Sequence, residues 1–200
     1  SLSGMGSTCV MVIIKEGKVY YGSVGDSRIY YISNGMIRQL TKDQSYVQTL
    51  VDEGRITQEA AEHHQDKNQI TNALGIENMT PPVVCQMPIA PEPGSVFLLC
   101  SDGLSGMINN NAILTTLSNS NVSLNERAQQ LVSLANAAGG LDNITVQLIE
   151  FPMGTAEMGV AYNSTSGATA YVNTKGRKKR NTTLIAAICL LMIAVIGGGV

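Results

Sequence analysis

The sequence predicts an α+β fold, and three observations carry that expectation. Residues 8–40 hold four short apolar or β-branched runs separated by tight turns, the pattern of antiparallel strands. Val96 to Cys100 is uninterruptedly apolar and bounded by turn residues, which suits a strand buried on both faces. Two stretches with helical apolar spacing, 109–118 and 124–138, then precede a returning strand at 144–149.

The elements follow in order. Thr8 to Ile14 is a β-branched run, and Glu16-Gly17 makes a short hairpin connection to Val19–Val24. Gly25-Asp26-Ser27 separates that strand from Arg28–Ile32. Asn34-Gly35 is a strong hairpin signal because both residues tolerate positive φ, and Met36–Leu40 closes the expected meander. Val47, Leu50 and Val51 then recur at helical spacing, with Gly54 a helix terminator and Thr57 the N-cap of a second short helix. His63 and His64 are adjacent, so on a helix they point about 100° apart and read as surface residues rather than ligands of one metal. Val83–Ile89 reads as a strand kept near an edge by Pro81, Pro82 and Pro88. Ser123 and Glu126 form a capping-box pattern ahead of the last helix, which Gly139-Gly140 ends.

A hydrophobic fraction of 44% is ample for a core. The net charge of −2 conceals a division: all fifteen acids but only eight of the thirteen Lys and Arg precede residue 175. Residues 1–174 therefore carry 8 − 15 = −7, and Lys175 to Arg180 adds five positive charges. An acidic body argues against nucleic acid as a partner, which needs a basic footprint, and is compatible with metal ions. Cys9, Cys85, Cys100 and Cys189 lack Cys-x-x-Cys spacing, which suits small buried thiols in a reducing compartment and argues against structural zinc.

Residues 152–174 are rich in Gly, Ser, Thr, Asn and Ala without periodicity and read as a flexible linker. A basic segment, 175–182, precedes an uncharged hydrophobic run from Leu184 to Val200. As a helix that run would extend about 26 Å, the short end of what spans a bilayer. A buried core helix would not need a basic cluster on one side only. The expectation is a transmembrane helix over 183–200, cut before the span finishes. The positive-inside rule then places the folded body in the cytoplasm of a single-pass membrane protein.

The acids carry the chemistry. Asp102 stands where the apolar run 96–100 leaves the core, either opening a turn with Gly103 or helping to hold a cation. Asp142, beside Gly139-Gly140 and before the strand 144–149, repeats the arrangement.

Six motifs occur in one order over about 145 residues: Gly6-Ser7-Thr8, Gly25-Asp26-Ser27-Arg28, Leu40-Thr41-x-Asp43, Ile70-Thr71-x-Ala73-Leu74-Gly75, Ser101-Asp102-Gly103-Leu104 and Asp142-Asn143-x-Thr145. The series resembles the metal-dependent serine/threonine protein phosphatases of type 2C, especially their compact bacterial members, over residues 4–151. The resemblance implies an α/β/β/α sandwich of two antiparallel sheets flanked by helices. It also implies hydrolysis of phosphoserine and phosphothreonine by a metal-activated water at two Mn²⁺ or Mg²⁺ ions, for which oxygen ligands are the right chemistry. By motif match, Asp102 and Asp142 are metal ligands and Asp26 joins Asp102 at a third ion. Ser101, Gly103 and Asn143 shape the site, Gly6–Thr8 supplies small residues beneath it, and 43–75 contains a flap over the cleft. The implied partners are phosphorylated proteins and a cognate serine/threonine kinase.

The departures are as informative. The chain has no Arg-x-x-Asn-Glu-Asp and no Asp-Gly-x-Gly-Gly motif, so the expectation is a phosphatase domain (1–151) lacking its N-terminal third and about half of its metal site, inactive as it stands. Gln44 stands where relatives often have His, Gln65 where they have Pro, and Asn72 where they often have Arg. A phosphatase-like binding module without catalysis is the alternative.

Overall fold

The computed structural model describes residues 5–153 and, as strands, residues 159–164 and 193–195. Hairpin chemistry builds both sheets. β1 (Gly6–Lys15) turns at Glu16 and Gly17, with φ of 52° and 71°, into β2 (Lys18–Val24). β3 (Arg28–Ser33) turns at Asn34 and Gly35, with φ of 51° and 71°, into β4 (Met36–Gln39). Positive φ at both central residues matches the twist of a two-residue hairpin.

The expected meander over 8–40 is divided between two sheets, which corrects the sequence expectation. One sheet has the order β5-β2-β1-β9, with β5 at Val83–Val84 and β9 at Ile193–Val195. The other has the order β4-β3-β6-β7-β8, with β6 at Val96–Cys100, β7 at Thr145–Glu150 and β8 at Gly159–Ser164. All pairings are antiparallel. The chain changes sheet at Gly25, whose φ of +95° ends β2 without a hairpin.

β6 is buried on both faces, as the apolar run requires, and its two faces serve different cores. Val96, Leu98 and Cys100 join Tyr30, Ile32, Val146 and Leu148 under α4 (Asn110–Leu117) and α5 (Leu124–Ala137). Phe97 and Leu99 join Val10, Val12, Val19 and Ile29 between the sheets. Two sheets with helices packed on one outer side are thus in place. On the other outer side, Cys9, Met11 and Ile13 of β1 are half-buried.

The helices start where their caps lie. Ser45 accepts from Gln48 N–H ahead of α1 (Tyr46–Asp52), and Thr57 accepts from Ala60 N–H ahead of α2 (Gln58–Glu62). Asn109 caps α4, and Ser123 with Glu126 completes the capping box of α5. One short helix, α3 (Asp102–Ser105), begins directly at the end of β6, where the sequence suggested only a turn.

Three further expectations change. The strand expected at 83–89 shrinks to Val83–Val84 plus a bridge between Val19 and Ile89, because prolines flank it and offer no N–H. The stretch 152–174, expected as a linker, contains β8, whose Gly159–Ser164 backbone pairs with all of β7. The bare edge of β7 supplies the hydrogen-bonding groups that local composition did not reveal. Of the expected transmembrane helix, 183–200, only Ile193–Val195 is described, and there the backbone is a strand on Gly6–Thr8. An open strand edge and an Ile-Ala-Val tripeptide suit each other. The segment 175–182 and the rest of 183–200 lie outside the described residues. Among the described residues, no helix is long and apolar enough to cross a membrane.

Candidate metal centre

The end of β6 is fastened to the start of β7 by one buried side chain. Ser101 Oγ donates to the Asn143 carbonyl at 3.0 Å and accepts from Thr145 N–H at 3.0 Å. Ser101 N–H also donates to the Thr145 carbonyl at 3.2 Å. Gly103 completes the junction. A Cβ on it would lie 2.4 Å from the Asn143 carbonyl oxygen and 2.9 Å from its carbon, so only glycine admits that loop. The two motifs containing Asp102 and Asp142 are therefore locked together through Ser101, Gly103 and Asn143, the three residues expected to shape the site.

Asp26 reaches the same region from the crossing between the sheets, just ahead of β3, whose Arg28 pairs with Cys100 of β6. A Cβ on Gly25 would sit 2.4 Å from Thr8 Cγ2, and Thr8 Oγ1 and Ser27 Oγ share a buried hydrogen bond of 2.9 Å. Of the small residues expected beneath the site, Gly6–Thr8, Thr8 thus supports the Asp26 turn. Ser7 also exchanges backbone hydrogen bonds of 3.0 and 2.8 Å with Leu74, tying this strand to the segment 43–75.

The electrostatics show which acids face one another. Burial, then the charges of Asp102 and Asp43, push the Asp26 carboxyl from 3.8 up to about 7. Burial, then the charge of Asp142, raises Asp102. Asp142 itself is exposed, and its Oδ1 accepts from Asn143 N–H at 2.6 Å. The charge of Asp102 acting on Asp26, and that of Asp142 acting on Asp102, mark a site that favours a counter-cation.

Two participants were not singled out from the sequence. Arg28 lays Nε and Nη2 on Asp43 Oδ2 at 3.0 and 2.7 Å and donates from Nη1 to the Tyr30 hydroxyl at 3.0 Å. Gln39 Nε2 also donates to Asp43, at 3.1 Å. Both Arg28 and Asp43 lie inside quoted motifs, but their mutual pairing has no sequence signal at a separation of fifteen residues. Gln44 and Asn72, two of the departures noted above, are bonded to each other: Asn72 Nδ2 donates to Gln44 Oε1 at 3.0 Å. Asp43 and Gln44 also line a hollow of about 300 Å³ with Lys42, Thr71 and Thr80, to which none of the three expected ligands contributes. His63 is exposed, whereas His64 is half-buried, its ring edge-on to Tyr46 and its Nδ1 accepting from Asp66 N–H.

The donor chemistry fits a hard divalent cation, since oxygen ligands and mutually repelling carboxylates are what such ions select. Their number does not complete a cage. Among the described residues, no three His, Cys, Asp or Glu converge closely enough to hold an ion.

Comparison with known proteins accounts for this arrangement. Residues 1–142 match protein phosphatase 2C. A putative protein phosphatase 2C-type from Streptococcus pyogenes is 42% identical over 146 residues, which are 73% of this chain and 58% of that protein. The serine/threonine phosphatase stp of Listeria monocytogenes is 40% identical over 149 residues, covering 74% of this chain and 58% of its own. The chain thus spans less than two thirds of the length of these relatives. The crystal structure of the Mycobacterium tuberculosis serine/threonine phosphatase PstP/Ppp superposes with a TM-score of 0.69 at 37% identity, over 76% of this chain and 63% of that one. The catalytic domain of PstP in complex with two manganese ions superposes with a TM-score of 0.64 at 36% identity, over 76% of this chain and 60% of that one.

Proposed function

Because the chain belongs to the protein phosphatase 2C family, we propose that it carries the larger part of an enzyme hydrolysing phosphoserine and phosphothreonine in proteins. The observation that carries this reading is the acid cluster. Asp26, just ahead of β3, and Asp102, just after β6, stand at the same end of two paired strands. The charge of Asp102 raises Asp26 and that of Asp142 raises Asp102, and Ser101 and Gly103 bring Asp142 alongside.

Asp102 and Asp142 would hold one part of a Mn²⁺ or Mg²⁺ pair, and Asp26 with Asp102 a third ion. When bound, such ions lower the pKa of a coordinated water and offset charge on the phosphoryl oxygens. The protein's own contribution is to hold the carboxylates. Asp102 is fixed at the first turn of α3 by the Gly106 N–H bond to its carbonyl, 2.7 Å. Asp142 is oriented through Asn143. Arg28 is engaged by Asp43 and Tyr30 and so braces the segment that carries Asp43.

The proposed setting is the inner face of a membrane. Residues 183–200, with Ile193–Val195 leaving the edge of β1, would anchor the protein with 175–182 on the cytoplasmic side, opposing a serine/threonine kinase on shared phosphoproteins. Tethering would raise local concentration without new contacts. Recovery of the full-length gene product in the membrane pellet after alkaline extraction supports the anchor, and recovery in the supernatant refutes it.

The activity is tested by Mn²⁺-dependent hydrolysis of a phosphothreonine peptide by that product, beside Asp102→Asn. Turnover that needs Mn²⁺ and vanishes in the variant is expected. No turnover from folded protein would favour the binding-module reading, for which the incomplete carboxylate set is the supporting observation.

A further inference from the structure

We propose that Gln44 is a positioning residue that fixes the Asp26 carboxylate and couples it to the strap 69–80. The inference rests on the reading of Asp26 as a metal ligand.

Gln44 grips both polar backbone groups of a single residue, Gly25. Its backbone N–H donates to the Gly25 carbonyl at 3.0 Å, and its side-chain Oε1 accepts from Gly25 N–H at 2.9 Å. Gly25 is the residue immediately before Asp26, with φ of +95° and no room for a side chain against Thr8. With Thr8 below and Gln44 on both polar groups, the backbone leading into Asp26 has no freedom left. Asp43, next to Gln44, is meanwhile held by Arg28, so the gripping segment is itself anchored.

The same amide carries the coupling. Oε1 takes a second hydrogen bond from Asn72 Nδ2 at 3.0 Å, and the Gln44 carbonyl accepts from Thr71 N–H at 2.8 Å. Asn72, 2% exposed, then clasps Thr80: its Nδ2 donates to the Thr80 carbonyl at 3.1 Å, and its Oδ1 accepts from Thr80 N–H at 3.0 Å. Gln44 Nε2 reaches the Pro81 carbonyl at 3.5 Å. A shift of the strap at 72–80 therefore pulls on the oxygen that holds Gly25. Polar contacts behind metal ligands typically change affinity by about 10–100-fold when removed.

The test uses the full-length gene product, titrated with Mn²⁺ by calorimetry and by electron paramagnetic resonance of the free ion, without reference to turnover. Asp26→Asn and Gln44→Met should each weaken Mn²⁺ binding by about tenfold or more. Gln44→Glu restores the accepting oxygen and should bind within about threefold of the unmutated protein, a rescue that a purely structural role would not show. If Asp26→Asn weakens binding and Gln44→Met does not, the positioning role falls and the reading of Asp26 stands. If Asp26→Asn binds Mn²⁺ normally, that reading falls and takes this inference with it. Should Gln44→Met fail to fold, amide exchange in the unmutated protein decides. Mn²⁺ should slow exchange at both Gly25 and Thr80, and an unchanged Thr80 rate would overturn the coupling.

Discussion

Replacing Gly103 by alanine perturbs the junction on which the acid cluster depends. The added Cβ would lie 2.4 Å from the Asn143 carbonyl oxygen, 2.9 Å from the Asn143 carbon and 3.4 Å from the Asp142 carbon. All three are backbone atoms, so no side chain can swing aside. Restoring ordinary contact needs a separation of nearly 1 Å between α3 and the 142–143 loop. That movement stretches the Ser101 Oγ bonds to the Asn143 carbonyl and from Thr145 N–H, both 3.0 Å. Ser101 is fully buried, so water cannot replace them. Each lost buried bond costs about 1–3 kcal/mol, which for the two sets the expected destabilisation at about 2–6 kcal/mol. Urea unfolding of Gly103→Ala beside Gly35→Ala measures it. Gly35 meets no atom within 4 Å, and its φ of +71° gives a strain-only control of about 1 kcal/mol. A Gly103→Ala midpoint equal to that of the control would refute the steric argument.

Other outcomes follow from the same structure. Leu98→Ala empties a fully buried position beneath α4 and α5 and should cost about 2–5 kcal/mol, whereas Met36→Ala, 68% exposed, should change stability by under about 0.5 kcal/mol; equal effects in thermal unfolding would contradict the assigned core. Asp26 carries a pH dependence whose sign is fixed by its raised value. The folded chain keeps that proton up to about pH 7 while the unfolded chain loses it near 3.8, so metal-free stability should fall as pH rises between those values and level off above them. Asp26→Asn removes the fall and should gain up to about 4 kcal/mol at pH 8; parallel stability curves for the two proteins between pH 4.5 and 8 would refute this. Arg28→Lys keeps the charge but loses the two-pronged contact with Asp43 and the bond to Tyr30, and should destabilise by about 1–3 kcal/mol in urea unfolding.

Local chemistry made much of this fold legible. Asn34-Gly35, the Ser123–Glu126 box, the Thr57 cap and Gly54 at φ +68° each specify geometry within a few residues, and each does what its neighbours dictate. The division of the 8–40 strands between two sheets was not legible, because a strand carries the same pattern whichever sheet it joins. β8 was hidden for the same reason: Gly159–Ser164 is ordered by the edge of β7, not by its own composition. Within the site, acids closing apolar runs marked Asp102, and motif order marked Asp26 and Asp142. The Arg28–Asp43 pair and the Gln44–Asn72 contact join residues brought together only by the turn at Gly25 and the strap at 72–80, so no spacing announces them.

The acid cluster and its supports divide the labour between function and stability. Asp26 and Asp102 oppose folding in the absence of a cation, since burial and neighbouring acids raise both, Asp102 and Asp43 acting on Asp26 and Asp142 on Asp102. What holds them in place is backbone pressed on side chain or backbone: Gly25 on Thr8, and Gly103 on the Asn143 carbonyl. Neutralising an acid should therefore leave the scaffold standing or strengthen it while removing affinity for a cation. Adding one methyl group at either glycine should weaken the scaffold and spread the acids together. The double variant Asp26→Asn with Gly103→Ala separates the two roles. Its stability should recover part of the Gly103→Ala loss at pH 8, and its Mn²⁺ affinity should recover none.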